Sequence, residues 1–126
     1  MQQHHVHTPC GVRCRRKKPF PLYHWSPASR RKSIQRRGLI VGSPHAVHSK
    51  GWRASYLCFS DSPSFAWAYS ANTTRKRQNW DLWMVWSTHV PGLSYRYDHV
   101  AQLPAEYRST GNVPKKHLWH VASRRS

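Results

Sequence analysis

Residues 22–43 read LYHWSPASRRKSIQRRGLIVGS. Leu22–Trp25 has the composition of a short strand, with a histidine, His24, near its end. Ser26-Pro27 then reads as a helix start: Ser as N-cap, and Pro at the first helical position, where its missing N–H costs nothing. The helix runs through Arg37 and stops at Gly38, since glycine accepts the conformation that ends a helix. Its apolar stripe is thin (Ala28, Ile34 and Leu39), so most of it faces water. A strand feeding a short helix in this way opens a mixed architecture.

The rest of the chain extends that pattern. Ser55–Ser60, SYLCFS, is a second strand, and DSPSFAWAYSAN a second helix, capped by Asp61 or Ser62 with Pro63 just inside. TTRKRQN is a basic loop, and residues 42–54 are loop-like. WDLWMVWSTHV is a third strand. Trp80, Leu82, Met84 and Trp86 share one face by the period of two, and Asp81, Trp83 and Val85 share the other. Both faces are largely apolar, which predicts a central strand. Pro91-Gly92 is a turn, and strands follow near Leu93–Tyr97, Glu106–Thr110 and His117–Ser123. The order predicts an α+β domain.

At 126 residues the chain is long enough for one domain with one modest core. The hydrophobic fraction is a low 38%, offset by seven Trp and six Tyr, each burying a large area. The 21 Lys and Arg against four acids give a net charge of +17, which predicts attraction to polyanions: RNA, DNA or phosphorylated ligands. Any general acid–base carboxylate is one of Asp61, Asp81, Asp98 and Glu106.

Residues 1–21 read as a basic, flexible arm, broken by Pro9, Pro19 and Pro21 and suited to non-specific phosphate contacts. The alternative is a metal site from His4, His5, His7, Cys10 and Cys14. Their C-x3-C spacing lacks a second pair at zinc-finger distance, so no metal is assigned. Three cysteines at these spacings do not form a disulfide framework. No segment reads as a signal peptide or a membrane span, which predicts a cytoplasmic protein with no membrane partner. Oligomeric state is not set by the sequence.

Three stretches recur in a telling order: LYHWS (22–26) with Gly38-Leu39 after it, LCFSDSPSFAWAY (57–69), and AEYRSTGNVPKKHLWHVAS (105–123). Residues 22–126 thereby resemble the ADP-ribosyltransferase fold of poly(ADP-ribose) polymerase catalytic domains and small rifampin-inactivating ADP-ribosyltransferases. They are also similar to short actinobacterial and phage proteins sharing LYHWSP, CFSDSP-like and WDLW stretches. The resemblance implies two small antiparallel sheets with two short helices in the N-terminal half, and NAD+ as substrate. It implies that His24 bonds the NAD+ ribose, that Ser26 helps hold the nicotinamide side, and that Glu106, the one Glu of the chain, is the catalytic carboxylate. Trp25 stands where those families have Gly. Its backbone would meet the nicotinamide amide, with its side chain turned elsewhere. Cys58 stands where they stack a tyrosine, so Tyr56, two residues back, and Tyr69 on the following helix are the candidate stacking groups. Arg30, Arg31, Lys50 and Arg53 are candidates for the pyrophosphate, by loop position.

Bland roles compete with these. His24 reads equally as a strand-end histidine satisfied by backbone, Tyr56 as packing, Cys58 as a buried apolar residue, Glu106 as the ion-pair partner of a nearby Arg, and Asp81 as a carboxylate paired with Arg. At the level of function, the leading expectation is an ADP-ribosyltransferase or NAD+ glycohydrolase whose acceptor is a nucleic acid or a protein associated with one. The alternative is a non-catalytic RNA- or DNA-binding module on the same fold. An RNA 2′-phosphotransferase is a third reading, against which Glu106 argues.

Overall fold

The computed structural model describes residues 5–9, 18–42, 56–64, 66–67, 78–98 and 103–125. They form an α+β arrangement of two antiparallel sheets. One sheet has four strands in the order β1 (His5–Pro9), β5 (Ser94–Asp98), β6 (Leu103–Ser109), β3 (Leu57–Phe59). The other has three, in the order β2 (Pro21–Pro27), β4 (Asn79–Trp86), β7 (Trp119–Arg125). No helix among the described residues is long and apolar enough to cross a membrane.

β4 lies between β2 and β7, as its two apolar faces predict. Trp83 and Val85 join Leu22, Ile34, Leu57, Phe59 and Tyr107 in the larger core cluster, to which both sheets and the helix α1 (Arg31–Arg37) contribute. Trp80 and Leu82 face the other way and pack with Trp25 and Ala66 in a smaller cluster, with Trp67 edge-on to both Trp25 and Trp80.

The helix begins later than the Ser-Pro signal suggests. β2 continues through Pro27, and Ala28–Arg30 form a 3-10 turn before α1. Ser26 is not a side-chain cap: it is buried in the ladder opposite Asp81, and that pairing outweighs its capping preference. The stop at Gly38 is as expected, with φ 79°. A Cβ there would collide with the carbonyl oxygen of Val113, and the next residue, Leu39, exchanges two hydrogen bonds with Val113, each of 3.0 Å. In the second helical stretch Pro63, Ser64, Ala66 and Trp67 are helical, and the Ala66 N–H donates to the Ser62 carbonyl over 3.0 Å.

His5–Pro9 depart from the flexible-arm reading. They pair with β5 from Asp98 to Ser94 as an edge strand. Pro9 stands at the strand's last position, and an edge tolerates a proline that an inner strand would not.

Candidate functional site

The two sheets meet along β2 and β3 at one residue pair. The Tyr23 N–H donates to the Ser60 carbonyl (2.7 Å), and the Ser60 N–H donates to the Tyr23 carbonyl (3.0 Å). Strand alternation then turns the Trp25 N–H and C=O the same way as those of Tyr23, toward β3 and away from β4. Instead of a continued ladder, the His24 ring fills the next position. Its Nδ1 lies 2.8 Å from the Cys58 carbonyl oxygen, and its ring packs against Phe59 with centroids 5.6 Å apart.

This contact sets the state of the imidazole. A carbonyl only accepts, so Nδ1 carries the hydrogen and Nε2 keeps the lone pair. Burial pulls the His24 pKa below its ordinary 6.5; the bond to Cys58 opposes that, and the nearby Arg30 charge adds to it. The ring is therefore neutral at neutral pH. Among the described residues, nothing hydrogen-bonds to Nε2.

Cys58 is approached a second time, by Glu106. The Cys58 thiol donates to Glu106 Oε2 over 3.7 Å, and Arg108 Nε donates to the same oxygen. The sheet explains why. Cys58 and Arg108 are register partners on β3 and β6, and Glu106 is two residues from Arg108, on the same face. Leu57, Phe59, Tyr107 and Ser109 occupy the opposite, buried face. Arg108 also lies over the Tyr56 ring, 3.9 Å from its centroid. Glu106 keeps 16% of its side chain exposed, and Oε1 has no partner among the described residues. Arg96 of β5 is its partner across the ladder.

His24 and Glu106 thus both touch Cys58, but from opposite faces of β3: His24 meets its carbonyl from the buried, Phe59 side, and Glu106 meets its thiol on the outward face, where Arg108 also covers the Tyr56 ring. Cys58 itself is exposed, not buried, because it sits on the outward face of a three-residue strand. The Trp25 side chain turns away as expected: its Nε1–H donates to the Pro63 carbonyl over 3.0 Å. Ser26 shares the His24 face of β2 by alternation. Arg30 acts on His24 through its charge. Arg31 is committed elsewhere: its Nε and Nη2 donate to the two oxygens of Asp81 over 2.8 and 2.7 Å. Tyr69, Lys50, Arg53, His4, Cys10 and Cys14 lie outside the described residues.

The ion-pair reading of Glu106 fits the structure, with Arg108 two residues away as its partner. One feature escaped the sequence: the exposed thiol of Cys58, hidden inside an apolar-looking run. No protein-family model, curated protein or solved structure matches this chain.

Proposed function

We propose that this protein is an NAD+-dependent ADP-ribosyltransferase, or an NAD+ glycohydrolase, on an ADP-ribosyltransferase-like fold. One observation carries the reading: an imidazole from the N-terminal half and the lone glutamate from the C-terminal half both reach Cys58, one at its carbonyl and one at its thiol. The resemblance asks for these two residues at one NAD+ molecule.

The chemistry suits the groups. Cleaving the ribose–nicotinamide bond sends its electron pair to the nicotinamide and builds positive charge on the sugar. A carboxylate with a spare oxygen stabilises that charge. Glu106 Oε1 is such an oxygen, while Arg108 fixes Oε2 and thereby orients the group. The Nε2 lone pair of His24 accepts a hydrogen bond from a ribose hydroxyl. The Trp25 N–H and C=O suit the donor and acceptor of the nicotinamide amide. An incoming water or hydroxyl forms the new bond at the anomeric carbon, and its proton passes to Glu106 or solvent.

The test is nicotinamide release from NAD+ by the purified protein. The parent releases it; Glu106→Gln slows release by about 10²–10³, the effect of losing one preorganised electrostatic group. Absence of release from the folded parent at any NAD+ concentration refutes the proposal. A second reading, a non-catalytic nucleic-acid module on the same fold, draws on the Glu106–Arg108 ion pair, which gives the glutamate a structural task. It requires no release by either protein.

A further inference from the structure

The exposed large apolar side chains among the described residues are Trp86, Trp119 and Val121, and all three lie on β4 and β7 of one sheet. Trp119 is 59% exposed. Register places it opposite Met84, Met84 opposite Tyr23, and Tyr23 opposite Ser60. One row of partners therefore runs from Trp119 to Ser60, about 14 Å at ordinary strand spacing. The β3–β6 pairing ends at Phe59 and Tyr107, so Glu106 lies next after the last pair, beyond the Ser60 end of the row. Helical residues Ala66 and Trp67 pack over the neighbouring rows at Trp25, Leu82 and Trp80, leaving Trp86 and Trp119 bare.

The surroundings of the row are basic. Lys115 and Lys116 are exposed just before β7, and Arg124 and Arg125 are exposed at its end. Arg108 stands beside Glu106, beyond the Ser60 end of the row. Asp81, the carboxylate of the three-stranded sheet, is fully buried on the opposite face and adds no exposed negative charge. A bare aromatic on an open sheet face, flanked by cations, matches the needs of unpaired bases and their phosphates. A second copy of this chain, also at +17, would be repelled.

We infer that this row seats a single-stranded nucleic acid, with bases stacked on Trp119 and Trp86 and phosphates on the flanking Lys and Arg. That the strand is also the ADP-ribose acceptor rests on the function proposed above; the binding does not. A duplex hides its base faces and gains little from a flat aromatic, so the surface favours unpaired strands.

Binding of fluorescein-labelled single-stranded RNA and DNA oligonucleotides, read by anisotropy in physiological salt, tests this. Trp119→Ala is expected to weaken binding about 5- to 150-fold, the range for losing one base stack. Lys115→Ala with Lys116→Ala is expected to lower the salt slope by about 0.7 for each phosphate no longer neutralised. Trp119 lies on an exposed edge strand, so the melting temperature of Trp119→Ala should equal the parent's. Unchanged affinity in a folded Trp119→Ala, equal binding of duplex, or no binding by the parent would each overturn the inference. The two proposals fail separately. Oligonucleotide binding without nicotinamide release removes the enzyme and keeps the surface. Nicotinamide release without binding does the reverse. With both present, Trp119→Ala should retain release while losing transfer of label from NAD+ to the oligonucleotide.

Discussion

Asp81 and Glu106 are both carboxylates set against an arginine, one in each sheet, and the fold treats them in opposite ways. Asp81 is wholly buried. It accepts from Arg31 twice, from Ser123 Oγ over 2.8 Å, and lies 3.1 Å from His120 Nε2. Its lone pairs are spent on joining α1 to β4 and β7. Burial alone would raise its pKa, but the bonds from Arg31 and Ser123 and the His120 and Arg31 charges outweigh that and hold it below its ordinary value. Glu106 is only partly buried, with Arg108 and the Cys58 thiol on one oxygen. A carboxylate with all its capacity used is a structural part. One with capacity to spare can serve chemistry.

The sharpest way to break this contrast is to neutralise each in turn. Glu106→Gln should lose the 10²–10³ in nicotinamide release while melting with the parent. Asp81→Asn should do the reverse: its unfolding free energy falls by about 1.5–3 kcal/mol, the scale of a charge-assisted hydrogen bond, while release per folded molecule is retained. Urea titrations alongside the release assay measure both axes. A Glu106→Gln that unfolds, or an Asp81→Asn that folds and is dead, would exchange the two roles.

Acid separates the regions next. His24, with a pKa lowered by burial, favours the neutral form in the fold, so the unfolded chain takes up its proton first. Its contribution is complete above 6.5 and is lost as pH falls from 6.5 toward the folded value. Asp81 has the same sign in a lower window: its contribution is complete above 3.8 and is lost as pH falls through its folded pKa. His117, lowered first by burial and then by the charges of His89 and Lys116, adds to the upper step. Stability should fall in two stages on acidification. His24→Gln should flatten the upper stage, and Asp81→Asn the lower. The smallest effect belongs to Cys58. A thiol is a weak donor, so Cys58→Ala should change release by less than about tenfold. A larger loss would give the thiol a role of its own.

The legible parts of the fold are those fixed by local chemistry. Alternation along Trp80–Trp86 places β4 centrally, Gly38 ends its helix, and Pro91-Gly92 turns. The boundary at Ser26 is not legible, because capping is a local preference and the Asp81 pairing is not local. β1 is hidden because its partner, β5, lies far along the chain, and prolines mask the extended run beside them. Of the candidate site, His24, Tyr56 and Glu106 follow from the order of three stretches. What sets His24 and Glu106 on either side of Cys58, the Cys58–Arg108 register and the Tyr23–Ser60 contact between sheets, is tertiary and leaves no spacing to read.

The central proposal is that one dinucleotide reaches both His24 Nε2, on the Phe59 side of β3, and Glu106 Oε1, on the thiol side. Imidazole nitrogen NMR of His24, with and without a non-cleavable NAD+ analogue, tests it most directly. The account predicts a hydrogen on Nδ1 and a lone pair on Nε2 in the free protein. On saturation the Nε2 resonance should move as it accepts a hydrogen bond, with Nδ1 unchanged and the shift weakened in Glu106→Gln. A His24 ring that does not respond while the protein stays folded, or one that carries its hydrogen on Nε2, would contradict it.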